Sequence, residues 1–185
     1  MGMGSFSTEQ WLLGAAAIAT VAFLGIALVQ PGVFDPDPDW EVSDGCLGGT
    51  NHDNVGISFH YHPNLKVILD GQQIPIESNT GIDQIGCRGG MRWVHVHDSS
   101  DTGFTKLHIE TPDKMHVPLG AFFQIWERDG GPALDDDRKF DVNRNGVSDW
   151  EEYDIRMNVN GEESEKFEKY IMLDHDDIEL IFTSK

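Results

Sequence analysis

Basic residues are scarce in this chain: 13 Lys and Arg stand against 32 Asp and Glu, a formal charge of −19 over 185 residues. No nucleic-acid partner is expected, because a phosphate backbone demands a basic face. Cysteine is rarer still, with Cys46 and Cys87 alone. No C-x-x-C pair occurs, so a thiolate zinc site is not indicated. The Cys-x-His-x-Met cluster of a blue-copper protein is missing, as is the G-x-S-x-G elbow of a hydrolase nucleophile. What remains is an acid-rich chain suited to solubility and to divalent cations.

One long apolar run is present. Residues 11–29, "WLLGAAAIATVAFLGIALV", carry no charge and match the length a helix needs to cross the hydrocarbon layer. The leader 1–10, "MGMGSFSTEQ", lacks the basic start of a secretory signal, and no small-x-small cleavage site follows. Residues 11–30 are therefore expected to be a retained transmembrane anchor. The next stretch, "FDPDPDWEVSD", is acidic and without a base, which fits a translocated flank. The expectation is a single-pass cell-membrane protein with its C-terminal domain outside the cytoplasm. In that compartment Cys46 and Cys87 should form a disulfide. Pro, Gly and Asp crowd residues 31–54, which read as an acidic stalk.

From residue 55 the pattern is one of short β runs. "LKVILDGQQIPI" is a hairpin signature around Asp70-Gly71, and "YDIRMNVNGEE" is another around Asn160-Gly161. "MRWVHVHD" reads as a strand whose Val94 and Val96 face the core, and "FTKLHIET" reads as its neighbour. "VPLGAFFQIWER" places Leu119, Phe122, Phe123 and Trp126 at helical spacing, so a short helix with a core-facing aromatic side is expected. Residues 129–152 form a polar, Asp-rich insertion. The predicted fold is mainly β, sandwich-like or β-rich α+β, over 55–185, with one short helix besides the N-terminal one.

The insertion ends in "DVNRNGVSDWEE", which fits D-x-[DN]-x-[DN]-G-x5-E. Calcium needs six to eight oxygens, so alternate side chains must converge while a glycine turns the backbone. The segment resembles the loops of EF-hands, thrombospondin type 3 repeats and dockerins over these twelve residues. That resemblance implies calcium ligands at Asp141, Asn143, Asn145, Val147 (through its carbonyl), Asp149 and Glu152. "GGPALDDDRKF" is a poor incoming helix, so an isolated structural loop is expected rather than a paired sensor.

Five of the eight histidines lie in three short runs: His60 and His62, His95 and His97, and His108 followed by Glu110. On a strand, residues i and i+2 share a face, so each pair can point one way. If the runs around 92–98 and 104–110 pair, His95 or His97 lies near His108 and Glu110. Such a face offers imidazoles suited to copper or zinc, with Asp98, Asp101 or Glu110 as outer acceptors. His52, His116 and His175 read as surface or structural residues.

The string "HYHPNL", "DG" at 70–71, "IP" at 74–75, "GI" at 81–82, "HVHD", "HIE", "LGAFFQIW", "VNG" and "DHDDIEL" resembles a group of membrane-anchored extracytoplasmic domains of archaea and bacteria. The closing run is also similar to the tail of small β-grasp proteins. The first resemblance implies location and anchoring, and no activity. Three functions stay open from the sequence: a non-catalytic metal-binding domain serving as an accessory subunit of a membrane complex; a mononuclear metal enzyme; and a structural or adhesive β module without a transition metal.

Overall fold

The structure, a computed structural model, describes residues 7–29, 36–48, 56–100 and 102–185. Helix α1 (Thr8–Val29) belongs to a unit ending at Asp37, and Pro38–Lys185 form a second. In chain order the second unit holds β1 (Cys46–Gly48), β2 (Phe59–Tyr61), β3 (Asn64–Leu69), β4 (Gln72–Ile74), β5 (Gly90–Arg92), β6 (Val94–His95), β7 (Thr105–Lys106) and β8 (His108–Thr111). Then come α2 (Leu119–Arg128), β9 (Ala133–Leu134), β10 (Phe140–Asp141), the single turn α3 (Asp149–Glu152), β11 (Tyr153–Val159), β12 (Glu162–Glu163) and β13 (Asp177–Ser184). The fold is the β-rich α+β class that the sequence implied.

Helix α1 has 22 residues and is about 33 Å long at 1.5 Å per residue. Leu12, Leu13, Ile18 and Val21 are all exposed within its unit, so the helix has no polar side to turn toward water. It is long and apolar enough to cross a membrane.

The main sheet runs β12-β11-β13-β3-β4. Its two hairpins close through Asp70-Gly71 (φ 48° and 78°) and Asn160-Gly161 (φ 55° and 83°). Left-handed backbone at both central residues matches the twist of the strands. Between the hairpins, β13 and β3 pair in parallel, with Leu180 opposite Val67. Leu65, Val67, Met157, Ile178, Leu180 and Phe182 are buried. Helix α2 packs its Phe123 onto Phe140 (ring centroids 4.8 Å), and Phe140 onto Phe182 of β13 (5.5 Å).

A second, three-stranded sheet has the order β2-β8-β6. Its ladder continues into the main sheet. Tyr61 lies opposite Ile109, and Asn64 lies opposite Lys106. Between them the Leu107 N–H donates to the Pro63 carbonyl at 2.9 Å. The register is unbroken, so His62 stands across from His108 where the chain bends from one sheet to the other. On the far side of β8, His95 pairs with His108 and Val94 with Ile109.

Four expectations change. "MRWVHVHD" is two strands: at Trp93 the backbone N–H turns to the Gly45 carbonyl, so β5 pairs with β1 and β6 with β8. The run 104–110 likewise divides, β7 joining β3 and β8 joining β2 and β6. The region 129–152 is polar in composition but anchored, since Ala133, Leu134, Phe140 and Val142 enter the core. The compact unit also starts at Pro38, so part of the expected stalk is folded: Trp40–Asp44 form a 3-10 turn, and Val42, Cys46 and Leu47 are buried. Residues 31–35 and 49–54 of that stretch, with His52, lie outside the described residues, as does Asp101.

The Cys46–Cys87 disulfide is formed and spans 41 residues. It ties β1 to the Gly-rich connection before β5. On the chain-entropy estimate, Cys46→Ser/Cys87→Ser lowers the unfolding free energy by up to about 4 kcal/mol. The urea midpoint of the full chain reads this directly; an unchanged midpoint contradicts it.

Candidate metal centre

Strand β8 lies between β2 and β6, and its alternation decides what each face carries. Ile109 points into the core together with Val94 of β6, both fully buried. His108 and Glu110 point the other way. Register then adds His60 opposite Glu110, His62 opposite His108, and His95 opposite His108. His97, just beyond the end of β6, joins them: its ring centroid is 4.7 Å from His95 and 4.6 Å from His108. All six residues singled out as transition-metal ligands therefore gather on one face.

The donor atoms fall into two groups. His60, His62 and His108 each offer a ligand atom within 4.8 Å of the others, and so do His95, His97 and His108. His108 belongs to both. Its ring stands edge-on to His62 (4.6 Å, 89°) and to His97 (4.6 Å, 77°), and stacks with His95 (5.5 Å, 16°).

His95 is the most constrained member, with no exposed surface. Its Nδ1–H donates to the Arg92 carbonyl at 2.9 Å, which leaves the Nε2 lone pair facing the cluster. His95 Nε2 and His97 Nε2 are 3.2 Å apart. Two nitrogens bound to one tetrahedral zinc at about 2.0–2.1 Å would be roughly 3.3 Å apart. The spacing suits a shared cation as well as a shared proton. The buried His108 Nδ1 has no hydrogen-bond partner.

Comparison with known protein families, curated proteins and solved structures returned no match. The chemistry of this face therefore rests on its geometry.

Burial pushes His95 from 6.5 down to about 4, opposed by its bond to Arg92 and helped by His97 and His60. His108 falls to about 4 through desolvation and the neighbouring His97, His62 and His95. His62 is also lowered, first by burial and then by His60 and Lys106. These imidazoles are neutral at pH 7, the form that binds metals. Glu110 holds His60 through an Nε2–Oε1 contact of 3.2 Å. The exposed Asp98 is not among the contacts of the cluster.

Two supports of the site had no local signal in the sequence. The His62 N–H donates to Asp174 Oδ1 at 2.9 Å, and the His175 N–H donates to the His62 carbonyl at 3.1 Å. These partners lie more than a hundred residues from His62. Gly81 is the other. Its φ is +84°, and a Cβ there would meet the Val94 carbonyl oxygen at 2.8 Å and His95 Cβ at 3.1 Å. A glycine is what lets the loop close over His95. The side chains of His116 and His175 are exposed, and His175 touches the site only through its backbone N–H on His62.

The acidic loop is partly gathered. Gly146, at φ 79°, makes the sharp turn that the loop pattern requires. Asp141 accepts the N–H groups of Asn145 (3.0 Å) and Gly146 (2.9 Å). Asn143 donates to Glu152 Oε2 at 2.9 Å, and Asn145 donates to both Glu152 oxygens at 3.0 and 2.9 Å. These bonds gather Asn143, Asn145 and Glu152 into one cluster through the amide nitrogens, while Asn143 Oδ1 accepts the Asn145 N–H at 3.0 Å. Val147 is exposed, and its N–H donates to Asn145 Oδ1.

Asp149 is fully buried. Its Oδ2 accepts the Val142 N–H at 2.8 Å, while its Oδ1 has no partner. Burial pushes its pKa up to about 6, against the Val142 bond and with Asp141, Glu152 and Glu168 adding to the rise. Glu168, also buried, accepts from the Phe140 N–H and the Trp150 indole N–H, both at 3.0 Å. The sequence pattern missed Glu168, because nothing in its neighbours marks a buried acid.

The histidine shifts have a sign. In the unfolded chain His95 takes a proton near pH 6.5, and in the fold only near 4, so its contribution to stability is present above pH 6.5 and lost as pH falls to 4. Asp149 acts oppositely, protonating more readily in the fold. The difference in unfolding free energy between wild type and His95→Gln, measured in urea with chelator present, isolates the first effect. It should hold constant above pH 6.5 and shift against the wild type as pH drops toward 4. A pH-independent difference contradicts a buried neutral His95.

Proposed function

We propose that this chain is a membrane-anchored metal-binding domain. Its imidazole face holds a transition metal ion, copper or zinc, and its acidic loop holds a structural calcium ion. Helix α1 serves as the single-pass anchor, with the folded unit outside the cytoplasm. One observation carries the reading: two sets of three imidazoles on one sheet face, each set within 4.8 Å. The buried His108 Nδ1, which meets neither a donor nor an acceptor, is costly to leave without a hydrogen-bond partner, and a borderline cation is held well by several converging imidazoles.

Binding is favoured over catalysis by the placement of the donors. His60 and His97 are exposed. A cleft of about 870 Å³ is lined by Asp44, Gln84, Arg92 and Arg128 among others, and by none of the imidazoles. A metal held at the surface suits storage or delivery, and a membrane complex bound through the anchor is the partner this implies. The disulfide and the base-free flank of the anchor agree with an oxidising compartment.

The calcium part rests on Asp149, a buried carboxylate with an unpartnered oxygen among three other acids. A divalent cation would relieve that repulsion. With neutral Asn at two ligand positions, affinity of the extracellular kind is expected, a Kd of about 10⁻⁴–10⁻³ M.

Two experiments test the reading. The purified chain, incubated with zinc or copper and dialysed, should retain metal by elemental analysis, and His95→Ala/His97→Ala should lose most of it. No retained transition metal in the wild type contradicts the proposal. Separately, 10 mM calcium should stabilise the chain by about 1–3 kcal/mol from the mass-action relation, and Glu152→Gln should abolish the gain. Equal stabilisation of both proteins would remove calcium from this loop.

A further inference from the structure

The two imidazole sets are not equivalent, and they share a residue. In the inner set His95 is fully buried and its Nδ1–H is fixed on the Arg92 carbonyl. That bond sets the tautomer and aims Nε2, which is how outer partners raise the affinity of a histidine ligand. In the outer set His60 is exposed, and its Nε2 is engaged by Glu110 at 3.2 Å. A metal arriving there must compete with that contact, and it meets solvent directly.

We propose that the two sets are successive stations for one metal ion: the outer set, His60, His62 and His108, exchanges the ion with its surroundings, and the inner set, His95, His97 and His108, retains it. This rests on the metal-binding reading above. His108 is the pivot, because it lies in both sets. An ion held by His108 can trade His60 and His62 for His95 and His97 without ever losing all nitrogen ligands. No redox change or bond to carbon is involved: two nitrogen–metal bonds break and two form. A donor waiting nearby makes each exchange intramolecular, so its effective concentration is high. Glu110 adds a carboxylate where the cation arrives, and it takes up His60 again once the ion has moved inward.

The test uses the full chain with excess calcium present, zinc as the probe, and a colorimetric zinc chelator as the acceptor. Wild type should bind one zinc at the imidazole face. His60→Ala/His62→Ala should keep that zinc, lose less affinity than the inner-pair variant does, and release it to the chelator more slowly, by roughly tenfold or more. His95→Ala/His97→Ala should lose roughly 10- to 100-fold or more in affinity and exchange rapidly. Circular dichroism and intact disulfide content confirm that each variant is folded, and His60→Asn/His62→Asn repeats the first test with polar replacements. Two zinc ions per wild-type face, an unchanged release rate in the outer variants, or an equal loss of affinity in both pairs would each overturn the station model. Failure of wild type to bind any zinc would instead bring down the metal-binding reading itself.

Discussion

The pairing of β8 with a strand on each side is the constraint on which the rest of the molecule depends. Because Tyr61 and Val94 both lie opposite Ile109, one face of this small sheet is committed to the core. The period-2 alternation then forces His108 and Glu110 to the other face, where His60, His62 and His95 meet them. A slip of one residue in either ladder would bury imidazoles among Val94 and Ile109 and turn the core residues outward. The hydrophobic pattern therefore fixes the register, and the register assembles the candidate site.

Electrostatics separates the two candidate cation sites. On the imidazole face, burial and the neighbouring rings hold His95 and His108 neutral, with Glu110 as the carboxylate at the edge. Such a site prefers nitrogen-seeking metals. The loop after β10 collects carboxylates instead, two of them buried, and offers oxygen alone. A hard cation suits it. The loop is also mechanically part of the fold: Phe140 enters the aromatic chain from α2 to β13, and Glu168 ties Phe140 to Trp150. Calcium bound there would brace the core from its polar side.

Much of this was legible in the sequence, for local reasons. Asp70-Gly71 and Asn160-Gly161 announced their hairpins because the left-handed turn selects those residues. Phe122, Phe123 and Trp126 announced α2 through helical spacing. Spacing of two also gave the shared faces of His60 with His62 and of His108 with Glu110. What was hidden depends on distant chain. Trp93 breaks its strand because its N–H goes to Gly45. The stretch 38–48, rich in acid, folds because Val42, Cys46 and Leu47 find a core elsewhere. The support of His62 by Asp174 joins segments with 112 positions between their numbers. Convergence of the His pairs was a matter of sheet order, and no spacing rule supplies that.

The most direct measurement is X-ray absorption at the zinc edge on the zinc-loaded full chain. The account predicts a first shell dominated by nitrogen at about 2.0–2.1 Å, with outer-shell scattering from about three imidazole rings, as the triads require. A shell of oxygen ligands without imidazole scattering would contradict it, because the zinc would then sit among carboxylates and the histidine face would not be the metal site.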